Sequence, residues 1–185
     1  HLIVVHTPNR PQLLQGAAFL GMGQQGSLGR YPIHFHMSGS AAGARVARNL
    51  VRGSGQRCVV IHGTDHVLVE DNVAYDTFGH CFILEDGGEV GNTFRGNLGA
   101  RTKAVPATGK IREEETDDTP ATFWLTNPNN TVVGNVAAGS DFGGFWYELR
   151  RSVRSPGIDL ALPGADPSRT PQRMKACTAV RKARG

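Results

Sequence analysis

The chain has 185 residues, room for one domain with a substantial core, with 24 glycines, 3 cysteines and a formal net charge of +4. No apolar run is long enough to cross a bilayer and no stretch reads as a signal peptide, so no membrane contact is expected within it. The charge is uneven: residues 150–185 hold 9 Lys/Arg against 2 Asp/Glu, while residues 1–149 hold 11 against 14, so the basic excess belongs to a Pro-, Arg- and Ser-rich tail. The repeats lack the interleaving of basic and aromatic residues that a nucleic-acid surface needs, and no nucleic-acid partner is expected.

In chain order, short apolar segments recur. Residues 2–6 (LIVVH) open the chain and fit a first strand, which would put His6 at the head of a column and Gly16 in the place of a later asparagine. Strands are then predicted at 32–36 (PIHFH), 58–62 (CVVIH), 81–85 (CFILE), 122–126 (TFWLT) and 144–148 (GFWYE). Between them stand four asparagine-headed copies of one motif: ARNLVRGS at Asn49, EDNVAYDT at Asn72, RGNLGART at Asn97 and VGNVAAGS at Asn135. The spacings are 23, 25 and 38 residues, the last as if one repeat carried an insertion.

A repeat of this period marks a solenoid, in which equivalent positions stack into columns. Alternation along each strand puts Ile33/Phe35, Val59/Ile61, Phe82/Leu84, Phe123/Leu125 and Phe145/Tyr147 on one face. All are large and apolar, so that face is the core. Val46, Val69, Phe94 and Val132 make a second inward column, and Leu50, Val73, Leu98 and Val136 are read as a third. Three inward columns per repeat suit a parallel β-helix. Asn tolerates left-handed turns, and stacked amides can bond between rungs. A leucine-rich repeat shares the Asn ladder, but its leucine density is missing here and β-branched and aromatic residues dominate. The predicted class is all-β, with five to six rungs over residues 1–149, an inserted loop at 100–121, and an irregular or truncated basic tail at 150–185 in which MKACTAVRKARG matches no rung.

The opposite face carries the chemistry. Its first column reads His34, Val60, Ile83, Trp124, Trp146, and its second His36, His62, Glu85, Thr126, Glu148. Rungs stack roughly 4.8 Å apart, so His34, His36, His62 and Glu85, with Asp86 beside it, should converge. Imidazoles exchange protons near neutral pH, and carboxylates orient them or act with them. The same His34, His36, His62 and Glu85 set is equally a ligand set for a divalent metal. Trp124 and Trp146 offer indole faces on which sugar rings stack, with Glu148 alongside. Arg30 and Arg57 precede two of the strands and could neutralise an acidic ligand. His66 and His80 fall in turns, where a structural role is expected.

The insertion is polar, with Glu113, Glu114, Glu115, Asp117 and Asp118, and reads as a solvated loop, a flap beside the groove or a weak Ca²⁺ site. Cys58 and Cys81 occupy equivalent positions on consecutive rungs, compatible with a disulfide or with two stacked thiols. Asn129-Asn130-Thr131 is a glycosylation sequon, meaningful if the protein is secreted by a eukaryote.

Gly29 to His36 (GRYPIHFH) resembles a segment of the family of cell-migration-inducing hyaluronan-binding proteins and transmembrane cell-surface hyaluronidases. RCVVIHGT from Arg57, GHCFILEDG from Gly79, TFWLTNPNN from Thr122 and GFWYEL from Gly144 are similar to the same family and follow in order over roughly residues 20–150. Fibrocystin-type proteins look like more distant relatives. The resemblance implies a right-handed, pectate-lyase-like parallel β-helix, an extracellular or cell-surface setting, and binding or hyaluronidase-like depolymerisation of hyaluronan or a related acidic polysaccharide. It also implies a segment of a larger protein, whose activity could need the rest, and a fibrocystin-like, non-catalytic adhesion role as the alternative. Residues 100–121 lack the cysteines usual in the family's insertion, and the segment after Pro171 departs from the expected next rung.

Overall fold

The computed structural model describes residues 1–7, 9–109, 116–149, 174–175 and 177–180. It contains six rungs of three strands each. They are β1 (Leu2–Val4), β2 (Leu13–Gln15) and β3 (Ala18–Leu20); β4 (Ile33–Ser40), β5 (Arg45–Ala47) and β6 (Leu50–Arg52); β7 (Val59–Asp65), β8 (Leu68–Glu70) and β9 (Val73–Phe78). Then come β10 (Phe82–Leu84), β11 (Thr93–Arg95) and β12 (Leu98–Lys103); β13 (Ala121–Leu125), β14 (Thr131–Val133) and β15 (Val136–Ala138); β16 (Gly143–Tyr147), β17 (Met174–Lys175) and β18 (Thr178–Val180). Every third strand pairs in parallel, giving three six-stranded sheets and the parallel β-helix that the repeat predicts.

In the first sheet the register runs Ile33, Val59, Phe82, Phe123, Phe145, as alternation requires. The phenyl rings stack, Phe82 on Phe123 at 4.8 Å and Phe123 on Phe145 at 4.7 Å. Val46, Val69, Phe94 and Val132 form the inward column of the second sheet.

The third inward column is one residue away from its expected place. Leu50 and Val73 are exposed; the residues facing the core are Phe19, Val51, Ala74 and Ala137, with Gly99 in register between the last two. The cause lies in the asparagines. Asn49, Asn72, Asn97 and Asn135 are themselves buried inward residues, so alternation puts the following Leu or Val outside. Their amides form the ladder, each Nδ2 donating to the next Oδ1 at 3.0, 2.9 and 2.9 Å. The left-handed turn belongs to the residue before: Gly16, Arg48, Asp71, Gly96 and Gly134 all have positive φ. Ala17, not Gly16, therefore fills the asparagine slot of the first rung, its N–H bonding Asn49 Oδ1 at 3.0 Å.

Three other readings are corrected. Leu2 pairs with Ile33 rather than Pro32, which moves His6 out of the histidine column; its Nδ1 lies 2.7 Å from the Ser38 carbonyl. The insertion begins only after β12 ends at Lys103 and folds back as a 3₁₀ turn at Ala107–Gly109 before Asp117 is buried. Glu113, Glu114 and Glu115 lie outside the described residues. The tail segments 174–175 and 178–180 pair with β14 and β15 as a sixth rung, Met174 in register with Val132 and Thr178 with Val136. Cys58 and Cys81 form a disulfide between consecutive rungs.

Candidate functional site

The first sheet's outer face builds the site from the bottom of the stack. β4 presents His34 and His36, and β7 pairs with it in register, setting His62 directly beside His36. β10 ends at Leu84, and the chain turns so that Glu85 and Asp86 meet the imidazoles. The stacking places three rings together: His34 lies on His62 at 5.7 Å, nearly parallel, and His36 meets His34 at 5.0 Å and His62 at 4.8 Å edge-on. One ring nitrogen from each falls within 4.8 Å of the others. His36 Nδ1 is 3.0 Å from His62 Nδ1.

Each ring has a different environment. His34 is buried, and its Nδ1 lies 3.1 Å from the Gly29 carbonyl. Burial drives its pKa down to about 4, against the pull of the Glu85 charge. His36 is exposed, and partial burial and the neighbouring His62 lower its pKa. For His62 burial opposes the charged form, but a 2.7 Å contact from Nε2 to Asp86 Oδ2 and the charges of Glu85 and Asp86 outweigh it and raise the pKa.

Behind the cluster sits a charged network that the sequence did not reveal. Arg57 is fully buried, with positive φ. It donates to Glu85 Oε1 at 2.7 Å, to the Tyr31 hydroxyl at 3.1 Å and to Asp117 Oδ2 from Nε and Nη2 at 3.3 and 3.2 Å. Gln56 adds a bond to Asp117 Oδ2 at 2.7 Å, and the His80 N–H one to Oδ1 at 2.8 Å. Burial alone would raise the Asp117 pKa; the Arg57 charge turns the shift downward. Arg57 is therefore a positioning residue for Glu85 and not a surface contact for an acidic sugar. Glu89 is a second missed residue. Buried beneath the Glu85–Asp86 turn, it accepts from the N–H groups of Gly63, Asp86 and Gly87, and burial raises its pKa to about 7. Polar composition hid Asp117 in the insertion, and a Gly-Gly pair hid Glu89.

The tryptophan pair separates into two environments. Trp124 is buried and stacks on His80 at 4.0 Å, so it is no part of an open platform. Trp146 is 41% exposed, 5.4 Å from the exposed Phe142, and donates Nε1–H to Glu148 Oε2 at 3.1 Å. Glu148 thus serves Trp146 and stands two rungs from Glu85. Arg30 is exposed next to Gly29 and bonds Gln24. His80, as expected, is structural: buried, with Nδ1 accepting the Ala121 N–H at 3.0 Å. His66 sits in a left-handed turn.

The family model described as the CEMIP beta-helix matches residues 1–176. The chain is 37% identical over 176 residues to human cell surface hyaluronidase CEMIP2, covering 81% of this chain and 13% of that protein. It is 33% identical over 177 residues to the human cell migration-inducing and hyaluronan-binding protein, covering 82% of this chain and 13% of the relative. Mouse fibrocystin-L is 41% identical over 138 residues, covering 74% of this chain and 3% of fibrocystin-L, so fibrocystin-type proteins are no more distant here than the hyaluronidases. The chain spans under a seventh of the length of each of these three.

Proposed function

We propose, since the chain belongs to the CEMIP beta-helix family, that its outer groove engages hyaluronan or a related acidic polysaccharide outside the cell and that the histidine–carboxylate patch takes part in cleaving it. The observation that carries this reading is the convergence of His34, His36, His62, Glu85 and Asp86 on one face, with the exposed His36 ring giving access. A pure scaffold does not require it. Breaking a glycosidic bond needs a proton at the leaving oxygen and either an activated water or a base at the sugar, and the patch offers imidazoles and carboxylates for both. Arg57 holds Glu85 in place from below, so that its carboxylate needs no rearrangement to act. Trp146, with Phe142, supplies an apolar face for a sugar ring farther along the groove. The Cys58–Cys81 disulfide supports an oxidising compartment.

A second reading is a non-catalytic glycan-binding or adhesion solenoid, favoured by the 41% identity to fibrocystin-L. Incubating the full-length parent with hyaluronan separates them. Chain shortening on a gel supports cleavage, and ultraviolet absorbance of unsaturated ends tells elimination from hydrolysis. Retention of polymer length with measurable binding favours the scaffold.

A further inference from the structure

We infer that His34, His36 and His62, completed by Glu85, form a binding site for a divalent first-row transition metal of the Zn²⁺ kind. This inference does not rest on hyaluronan being the substrate.

His34, His36 and His62 each bring a ring nitrogen to within 4.8 Å of the others, with His34 buried and His36 exposed. Zn²⁺ takes His nitrogens at about 2.0–2.1 Å in a tetrahedron, so side-chain movement of around 1 Å closes this set on one ion. Eight buried side-chain atoms lack a hydrogen bond among the described residues, and two of them belong to the cluster. One is His34 Nε2, in a residue only 2% exposed; the other is Glu85 Oε2, 3.7 Å from His62 Nδ1. A buried polar atom left unpaired is destabilising, and a shared cation is a partner that satisfies both at once.

The outer shell has the arrangement that metal-binding histidines use. A ligating imidazole commonly donates its other N–H to a carbonyl or carboxylate, which fixes the tautomer and leaves a lone pair for the ion. His34 Nδ1 meets the Gly29 carbonyl at 3.1 Å, leaving Nε2 for a metal. His62 Nε2 meets Asp86 Oδ2 at 2.7 Å, and its Nδ1 faces His36 Nδ1 at 3.0 Å. Glu85 is held through its other oxygen by Arg57. Nitrogen-rich donors suit zinc, cobalt, nickel or copper, whereas Ca²⁺ and Mg²⁺ prefer all-oxygen shells.

The test is titration of Co²⁺ into the metal-stripped full-length parent, purified without a histidine tag, with the visible ligand-field spectrum as readout. Expected is a saturable tetrahedral band that Zn²⁺ abolishes and excess Ca²⁺ leaves in place. His36→Ala, an exposed position, should remove the band while circular dichroism and melting stay unchanged. Glu85→Gln should weaken affinity, and Asp86→Asn by about 10–100-fold, as for second-sphere changes. A folded parent with no such band, an unchanged band in a folded His36→Ala variant, or displacement by Ca²⁺ as readily as by Zn²⁺ overturns the inference.

Discussion

Arg57 and Asp117 are joined by two hydrogen bonds, at 3.3 and 3.2 Å, inside a protein region where neither side chain sees solvent. The pair links the inserted loop to β7, since Arg57 directly precedes that rung and simultaneously holds Glu85. Removing one member strands the other. Asp117→Ala should therefore cost about 3–5 kcal/mol in denaturant unfolding, the range for breaking a buried ion pair from one side. An effect below about 1 kcal/mol would show that the loop is not an anchored part of the fold.

The third inward column gives a sharper packing test. A Cβ at Gly99 would stand 2.1 Å from Thr122 Cγ2. Thr122 cannot swing away cheaply, because its hydroxyl bonds Thr102 at 2.9 Å and the residue is fully buried. Gly99→Ala should lose about 1–3 kcal/mol by overpacking. Ala138, one residue after the equivalent position of the next rung, is half-buried and should accept Ser with little change. Phe82→Ala, in the first column, should cost about 3–5 kcal/mol.

These positions also show what sequence makes legible. The columns at Ile33 and Val46 follow from large apolar residues recurring at the same strand position on every rung. At Leu50 the same logic misled, because a buried asparagine is polar in composition and inward in position. The convergence of His36, His62 and Glu85 followed from register alone. Asp117 and Glu89 did not, since their partners lie across turns and a loop with no repeat to align them. Trp124 and Trp146 share a column, and the ring of His80 together with the cluster of Tyr31, Val60, Ile83 and Ala121 encloses the first alone.

A pH dependence should trace to His80. Its pKa is driven by burial from the ordinary 6.5 to about 4. Between those values the unfolded chain binds the proton and the folded one does not. The stability that the neutral ring contributes is thus fully present above pH 6.5 and is lost as pH falls towards 4, by roughly 3 kcal/mol at most. His80→Asn keeps an acceptor for the Ala121 N–H and does not titrate. The stability of wild type relative to this variant should rise as pH is raised from 4 to 6.5, measured by urea unfolding. His34 shifts the same way and Glu89 the opposite way, so the difference between the two proteins, not the wild-type curve, isolates His80. A constant difference across the window would show that the ring is charged in the fold.

Trp146 is the better-placed indole for a sugar, being exposed, whereas Trp124 is enclosed. Hyaluronan oligosaccharides should quench or shift the fluorescence of the wild type, and Trp146→Phe should abolish that response while the emission of Trp124 persists. Trp146→Ala should weaken binding by about tenfold, as for loss of one stacking contact of about 1–1.5 kcal/mol, with the melting temperature nearly unchanged. Unaltered affinity would move the sugar site elsewhere along the groove.

The last prediction concerns the reactive patch itself. His36 is exposed and can be shortened without opening the core, and Glu85→Gln keeps size and shape while removing charge. In the full-length parent both should abolish hyaluronan depolymerisation, read as polymer length on a gel, and leave thermal unfolding close to wild type for His36→Ala. Glu85→Gln should destabilise modestly, because Arg57 loses a charged partner at 2.7 Å. Binding of short oligosaccharides should survive in both, since Trp146 stands two rungs away from Glu85. Retained depolymerisation in both folded variants would place the chemistry outside this β-helix segment.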